Sequence, residues 1–265
     1  MRRFSIGLFA FITLFGPGAI RAEEAERELV QLYQYKPMYF LLGTPQTKAQ
    51  FSLKARVVRG WDLYFAYSQL IVWDLFKESR PFRDLNYNPE GFYRWSIGGR
   101  PADLPPEDRA RISNRWIDLG FYEHESNGKA GDASRSWDRH SVRYHETRKV
   151  GERASISWSF KLWYARNYDP GMRDFQRYRG AYEVEVTLAD FLGPYFERND
   201  LTLRFYPGGK STVNPLEGGR ELTLRLKGKH RSFLASTVFQ FFQGRGENML
   251  DYRQNVVGFR AGLGL

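Results

Sequence analysis

Apolar and polar side chains alternate with a period of two residues along most of this 265-residue chain, and this pattern limits its fold more than any other feature. In one segment, serine or lysine alternates with apolar residues, which are Ile156, Trp158, Phe160, Leu162 and Tyr164. Successive side chains of a β-strand point to opposite faces, so the pattern predicts strands with one apolar and one polar face. Each segment has about the length that a tilted strand needs to cross a bilayer, roughly 9 to 11 residues.

The last segment of the chain shows the pattern most clearly. Its apolar face carries Val257, Phe259, Ala261, Leu263 and Leu265, and its other face carries glycine and arginine. Bacterial outer-membrane barrels have strands of this kind, with lipid outside, a polar lumen inside and aromatic girdles at both interfaces. A soluble β-sandwich shows a similar alternation but needs fewer aromatic residues and fewer charges on its polar face. The sequence therefore predicts an all-β fold, a transmembrane antiparallel β-barrel.

About twelve segments can be counted, and a closed antiparallel barrel with both termini on one side needs an even number of strands. They are expected near residues 50–58, 61–73, 91–97, 115–125, 136–147, 154–165, 177–189, 199–206, 219–227, 231–243, 248–254 and 255–265. Residues 23–49 contain Pro37 and Pro45, and we expect them to form an extended or irregular arm against the barrel or its mouth. Residues 23–265 are thus expected to form a single domain.

The first 22 residues have the pattern of a secretory signal peptide. Arg2 and Arg3 precede an apolar run over 4–15, and Gly16-Pro17-Gly18 breaks it before a possible cleavage site after Ala22. A membrane anchor is the alternative, but the apolar run is shorter than a spanning helix. We therefore expect export, and with the barrel pattern this places the chain in the outer membrane of a Gram-negative cell.

The composition excludes several other classes of protein. With no cysteine, the chain has neither disulfides nor a cysteine-based metal site. A mean hydropathy of −0.56 leaves no room for a bundle of membrane helices. The 21 Phe, 16 Tyr and 7 Trp are far too many for a disordered chain. The net charge of +10 is spread over the strands of an exported chain, so we expect no nucleic-acid partner.

A histidine and a serine near the middle of the chain could carry chemistry. His124 precedes Ser126 by two residues, and side chains two apart on a strand point the same way, so they could meet. That spacing alone is common by chance, and a histidine taken singly is more often a lumen or loop residue than a catalyst.

The residues around this pair form a much more specific motif. The run His124-Glu125-Ser126-Asn127-Gly128-Lys129, followed by Ser134-Arg135-Ser136-Trp137-Asp138, resembles the active-site motif of the outer membrane phospholipase A family. The family usually has asparagine where Asp138 stands, twelve residues after Ser126. Two further motifs match in the same order, Tyr67-Ser68-Gln69 with Asn86-Tyr87-Asn88-Pro89-Glu90, and Gly244-Arg245-Gly246-Glu247. The similarity covers most of the chain after residue 22.

The resemblance implies a calcium-dependent phospholipase that hydrolyses acyl esters of glycerophospholipids. Ser126 would be the nucleophile, and His124 would be the general base. Asp138 would orient the imidazole and stabilise the imidazolium electrostatically. The Gly128 amide would stabilise the oxyanion. The alternative for Asp138 is a strand-end carboxylate that pairs with a neighbouring arginine.

The resemblance also implies a calcium site that two subunits complete. The carbonyl of Lys129 and the hydroxyl of Ser134 would bind Ca²⁺ together with the carbonyl of the partner subunit's Ser79, since such oxygens suit a hard cation. Gln69 would pair with its twin across a homodimer interface, and Tyr87 would lie along the acyl-chain cleft. The alternatives are a glutamine near the headgroup rim and an ordinary girdle tyrosine.

The resemblance places the site on the outer surface, which conflicts with strict alternation. Ile117, Leu119 and Phe121 form the expected lipid-facing set, and simple alternation would then turn His124 and Ser126 inward. We therefore predict a β-bulge around 122–123, because bulges re-aim side chains next to active sites.

A barrel without catalysis is the second interpretation from the sequence. Lumen-facing basic residues such as Arg139, Arg143 and Arg225 would suit an anion-selective pore. A hydrogen-bonded serine, histidine and aspartate on the outer wall would favour the enzyme, and an open lumen with these three residues apart would favour the pore.

Overall fold

One antiparallel sheet closes on itself to form a barrel. The structure is a computed structural model and describes residues 32–58, 60–98, 106–229 and 235–265. It contains thirteen strands in these ranges: β1 Leu32–Gln34, β2 Tyr39–Thr44, β3 Thr47–Arg56, β4 Leu63–Trp73, β5 Phe82–Ser96, β6 Asn114–Ser126, β7 Ser136–Val150, β8 Ala154–Arg166, β9 Tyr182–Ala189, β10 Arg198–Gly208, β11 Asn214–Lys227, β12 Ser236–Gly244 and β13 Val256–Gly264. Each strand from β3 to β13 pairs with the next, and β2 joins β3 to β13.

The wall has twelve positions because β1 and β2 share one of them. Both pair with β3, and the chain between them, at 35–38, leaves the sheet. Pro37 has no amide hydrogen and cannot donate to the ladder, which explains the interruption. The predicted twelve-stranded antiparallel barrel is therefore confirmed.

The structure differs from the sequence-based strand assignment at several places. Strand β5 begins at Phe82, nine residues before the expected start at 91, and a short helix over Gln176–Arg179 replaces the start of the strand expected at 177–189. The described part of the expected irregular arm, residues 32–49, instead contributes β1, β2 and the start of β3 to the wall. Residues 248–254, expected as a strand, form a loop in which the amides of Met249 and Leu250 donate to Asp84 at 3.0 and 2.9 Å. Residues 1–31, with the predicted signal peptide, lie outside the described residues.

The wall is apolar outside and polar inside, as the alternation predicts. Large exposed side chains on the outer face include Phe51, Phe65, Trp95, Leu119, Phe239 and Phe259. Side chains on the opposite face of the same strands are buried and charged, among them Lys54, Glu90, Arg94, Asp118, Glu123 and Arg260. Such a wall suits lipid on the outside and a hydrated or ion-paired interior.

Many of the charged side chains of the lumen are paired with one another. Arg94 forms two hydrogen bonds with Asp118, at 2.7 and 2.9 Å. Glu123 accepts from Arg139 and, at 2.7 Å, from Lys161. Buried charges cost several kcal/mol each unless they are paired, so this pairing is a condition for the fold.

Side chains and loop residues narrow the lumen at both ends. At the end nearest the 127–135 loop, an aromatic cluster fills the interior: Trp137, Trp163, Met172, Phe175, Met249 and Tyr252. At the other end, helix α1 (Pro106–Arg109) and the residues after it enter the mouth, where Arg111 pairs with Asp190 and Asp200 at 2.7 Å. The second helix, α2 Gln176–Arg179, is equally short, and no helix in the described ranges is long and apolar enough to span a membrane.

The arginines that suggested a pore have partners. Arg139 binds Glu123, Arg143 donates to the Tyr35 hydroxyl at 3.4 Å, and Arg225 donates to the Leu265 carbonyl at 3.0 Å. This pairing favours a structural role for these three arginines. The barrel still encloses a cavity of about 270 Å³, whose lining includes Arg139, Arg143 and Arg225.

Candidate active site

A β-bulge in β6 determines which way the candidate catalytic residues point. Phe92 and Gly91 of β5 are paired with Gly120 and Tyr122, so Phe121 is an extra residue between them. The pairing of β6 with β7 shifts at the same place. The predicted bulge is confirmed, one residue before the expected position.

The bulge reverses the alternation of the strand. Phe121 and Tyr122 are both exposed on the outer face, and Glu123 then points into the lumen with 1% exposure. His124 and Ser126 consequently lie on the outer face. Without the extra residue, the alternation would have turned both side chains into the lumen.

His140 binds the backbone carbonyl that the bulge releases from the sheet. Its Nδ1 lies 2.7 Å from the oxygen of Phe121. The bond lies on the exposed outer face, and where that face meets lipid or detergent an unpaired carbonyl costs about 1–3 kcal/mol, so the bond stabilises the bulge there. The sequence did not indicate a role for His140.

Replacing His140 with leucine is expected to lower the free energy of unfolding by about 1–3 kcal/mol, because the Phe121 carbonyl loses its donor. His140→Gln keeps a donor and should stay closer to the wild type. Urea unfolding in detergent micelles, followed by tryptophan fluorescence, measures the difference. Equal stability of the leucine variant and the wild type would contradict a role of this bond in holding the bulge.

The imidazole of His124 is bound to the carboxylate of Asp138. These residues are directly paired between β6 and β7, and His124 Nδ1 lies 2.7 Å from Asp138 Oδ1. The side chains are 32% and 22% exposed, so solvent or substrate can reach them. The other carboxylate oxygen, Oδ2, accepts a hydrogen bond of 2.8 Å from Asn167. Asp138 makes no ion pair with Arg135 or Arg139 among the described residues, and the alternative for this carboxylate finds no support.

Ser126 lies on the same outer face, two residues along β6 from His124. It is paired with Tyr87 of β5 on one side and with Ser136 of β7 on the other. Within the described ranges its hydroxyl forms no hydrogen bond with His124 or any other residue. Catalytic hydrogen bonds are often long without substrate and tighten in the complex. The structure therefore brings Ser126, His124 and Asp138 together. The hydrogen bond between His124 and Asp138 is formed, and the one between Ser126 and His124 is not.

The loop after Ser126 is held by one buried asparagine. The Asn127 side chain accepts from the amides of Lys129 and Arg135, at 3.3 and 3.0 Å, and donates to the Ala133 carbonyl at 2.9 Å. Gly128 has φ +64°, and a Cβ there would come within 2.8 Å of the Tyr87 ring. The Gly128 amide has no acceptor among the described residues, so it can donate to a bound oxygen.

The candidate calcium ligands are oxygen atoms near this loop. The Ser134 hydroxyl donates to Asp169 Oδ2 at 2.8 Å. Hydrogen bonds from the Gly171 amide and from Ser134 hold the pKa of Asp169 below its ordinary value, so the carboxylate is charged at neutral pH. Hydroxyl, carbonyl and carboxylate oxygens are suitable for Ca²⁺. No group of three or more His, Cys, Asp or Glu side chains in the described ranges, this loop included, is placed to hold a metal.

Ser79 and Lys129 lie in neighbouring loops. Ser79 is in the β4–β5 loop with φ +56°, and no hydrogen bond joins it to Lys129 or Ser134 in the part of the chain that the structure describes. The Lys129 ammonium donates to the carbonyl of Arg83, near the start of β5, at 2.7 Å, which ties the loop after Ser126 to the strand that follows the Ser79 loop.

Gln69 and Tyr87 lie in the same transverse row as Ser126. Gln69 is paired with Tyr87, and Tyr87 is paired with Ser126. The Gln69 amide oxygen accepts from the Tyr67 hydroxyl at 3.3 Å on the outer face. Both residues thus face outward beside the candidate nucleophile.

Two residues of the β8–β9 loop reach the site although the sequence did not indicate them. Asn167 binds Asp138, and Asp169 binds Ser134. They lie about forty residues after Ser126 in no recognisable spacing, and only the pairing of β7 with β8 brings them close. A position immediately after a predicted strand beside the site is the one signal that could have suggested them.

An ion-paired barrel with serine, histidine and aspartate on its outer wall has the features of a membrane-barrel hydrolase. A family model described as "Phospholipase A1" matches residues 43–265. The chain belongs to the phospholipase A1 family.

Similar proteins and structures agree with this assignment. A putative phospholipase A1 of Neisseria meningitidis is 29% identical over 238 residues, and phospholipase A1 of Escherichia coli is 29% identical over 203 residues. These matches cover 82% and 76% of this chain but 54% and 60% of the relatives, so the chain spans a little over half of their length.

Two solved structures share the fold. Outer membrane phospholipase A of Escherichia coli superposes with a TM-score of 0.69 at 24% identity, covering 88% of this chain and 91% of the other. The outer membrane phospholipase of Salmonella typhi, a dimer with bound calcium, superposes with a TM-score of 0.70 at 24% identity, covering 94% and 97%.

Proposed function

We propose that this protein is a calcium-dependent outer-membrane phospholipase, hydrolysing acyl esters of glycerophospholipids at both positions and of lysophospholipids. The supporting observation is the 2.7 Å contact between His124 and Asp138, with Ser126 on the same outer face. A hydrolase with its residues on the outer wall receives substrate laterally from the bilayer. Both acyl positions of a lipid can present an ester at that surface.

The reaction follows from ordinary acyl-transfer chemistry. The Ser126 oxygen attacks the ester carbonyl carbon while His124 Nε2 takes the hydroxyl proton. The alkoxy oxygen of the lysophospholipid then leaves with that proton, and the acyl group remains on Ser126. Water, deprotonated by His124, cleaves the acyl-serine and releases the fatty acid. Asp138 accepts from Nδ1 throughout and stabilises the imidazolium.

The Gly128 amide is placed to stabilise the negative charge of the transition state, and a calcium ion held beside it would add to that stabilisation. The amide has no acceptor within the described residues and donates to the developing oxyanion. Calcium would be held by the Lys129 carbonyl, the Ser134 hydroxyl and the carbonyl of the partner subunit's Ser79, with Asp169 close to Ser134. When bound, it supplies positive charge beside the reacting ester.

A homodimer would complete the site. Gln69 is a polar residue on the outer face, and its amide N–H groups, which have no acceptor among the described residues, are costly against lipid. Pairing of two Gln69 amides across the dimer removes that cost. Tyr87 then lies beside an acyl cleft that the second barrel closes. A signal peptide over 1–22 and insertion into the outer membrane of a Gram-negative cell complete the proposal.

Removal of calcium is expected to stop hydrolysis. Phosphatidylcholine in mixed detergent micelles should be hydrolysed with calcium, and a chelator should lower the rate at least a hundredfold because oxyanion stabilisation is lost. Added calcium should restore the rate and magnesium should not, since Mg²⁺ requires stricter geometry. The same rate with calcium and with chelator would overturn the calcium requirement, and release of no fatty acid under any condition would overturn the phospholipase assignment.

A further inference from the structure

The carboxylate of Asp138 is held at both oxygens. Oδ1 lies 2.7 Å from His124 Nδ1, and Oδ2 accepts from Asn167 Nδ2 at 2.8 Å. Asn167 immediately follows β8, whose last residue Arg166 is paired with Asp138. The chain Ser126, His124, Asp138 and Asn167 thus runs across three strands along the outer wall.

We propose that Asn167 is a positioning residue that orients the Asp138 carboxylate toward His124, and this rests on the function proposed above. A carboxylate bound at one oxygen can rotate about its last side-chain bond. The amide of Asn167 stops that rotation, since a hydrogen bond to a charged group is stronger than one between neutral groups. The imidazole is then kept with its proton on Nδ1 and with Nε2 free to act as the base.

The neutral amide of Asn167 is a suitable hydrogen-bond donor for the charged carboxylate of Asp138. An ionised carboxylate only accepts hydrogen bonds, so its second oxygen needs a donor. Asn167 supplies an N–H without adding a positive charge that would weaken the stabilisation of the His124 imidazolium. An aspartate at position 138 and an amide donor at position 167 therefore form a matched pair.

The backbone of Asn167 suggests a competing explanation. Its φ is +54°, a conformation that asparagine adopts more readily than most residues. Asparagine could thus be present only to make the turn after β8. Glycine adopts the same backbone without an amide side chain, so Asn167→Gly separates the two roles.

Four variants test the proposal through hydrolysis of phospholipid with calcium. N167G should lower kcat about tenfold to a hundredfold with KM unchanged. N167D should lower it about a hundredfold or more, because two carboxylates then face each other. D138N should lower kcat about tenfold, since Asn167 can rotate its amide so that the new asparagine still has a hydrogen bond to both His124 and Asn167. The double variant D138N/N167D again places one donor and one acceptor between positions 138 and 167. Its kcat should exceed that of N167D at least tenfold.

A structural measurement distinguishes failure of this proposal from failure of the proposed function. The Nδ1 proton of His124, observed by NMR in detergent micelles, should be sharp in the wild type and in D138N/N167D and exchange-broadened in N167G and N167D. Asn255 is exposed in the β12–β13 loop, and N255D is the control for added charge at the same end of the barrel.

Two results would overturn the positioning role of Asn167. N167G with wild-type kcat and an unchanged Nδ1 proton would overturn the proposal in favour of a turn residue. A double variant no better than the product of the two single effects would also overturn it. If the wild type hydrolyses nothing, the proposed function fails, and the NMR comparison alone still shows whether Asn167 positions the His124–Asp138 pair.

Discussion

Replacing Ser126 with alanine is expected to reduce phospholipid hydrolysis by about four to six orders of magnitude in kcat, because the hydroxyl that takes the acyl group from the lipid is lost. The barrel should fold as before, since the Ser126 hydroxyl makes no hydrogen bond in the described structure. Its loss therefore costs no stability. The measurement is fatty-acid release from mixed micelles with calcium, together with circular dichroism and heat-modified mobility on gels.

Ser136→Ala is the matched control for this prediction. Ser136 is paired with Ser126 on the neighbouring strand and also faces outward, but it lacks the histidine two residues away. It should retain most of the wild-type activity. Equal turnover by Ser126→Ala and the wild type would remove Ser126 as the nucleophile, and a similar loss in both alanine variants would show that the effect is structural.

Replacing Glu123 with alanine is expected to destabilise the barrel by about 3–5 kcal/mol. The carboxylate is 1% exposed and accepts from both Arg139 and Lys161, so its removal leaves two buried cations without their principal partner. The variant should also lose activity, because Glu123 directly follows the bulge and precedes His124. Unfolding by guanidinium chloride in micelles, followed by tryptophan fluorescence, gives the free-energy change.

Glu152→Ala is the corresponding control for stability. Glu152 is exposed in the β7–β8 turn, and its removal should change the free energy of unfolding by less than about 0.5 kcal/mol. The free energy of unfolding of Glu123→Gln should lie between those of Glu123→Ala and Glu152→Ala, since an amide still accepts a hydrogen bond but no longer neutralises the charges of Arg139 and Lys161. A change below about 1 kcal/mol in Glu123→Ala would contradict the role assigned to the ion pairs of the lumen.

Strands were predictable from the sequence wherever one face meets an apolar medium and the other meets a charged interior. The alternation in β8 and β13 is regular over the whole strand, and both faces were assigned correctly. The alternation was less informative in β1 and β2, where Pro37 interrupts the wall, and in the loop over 248–254, where bonds to Asp84 replace a ladder. The strand propensity of a short segment contains no information about such tertiary hydrogen bonds.

The candidate site was predictable to the extent that its residues are close in the chain. His124, Ser126 and Asp138 lie on adjacent strands joined by one loop, so a contiguous motif contains them. The bulge could be inferred because an outward site and strict alternation conflict. Asn167 and Asp169 could not be inferred, since they reach the site through the pairing of β7 with β8 and a loop whose course depends on the packing beneath it.

The order of residues determined a barrel with an apolar outer wall and a serine, histidine and aspartate on neighbouring strands. These properties follow from period-two alternation and from the spacing of residues close in the chain, and both can be read directly from the sequence. The tertiary structure alone decided which residue forms the bulge, the bond from His140 to the Phe121 carbonyl, the partners of the lumen charges and the second hydrogen bond to Asp138. Each of these depends on side chains that are far apart in the chain and meet only when the sheet closes.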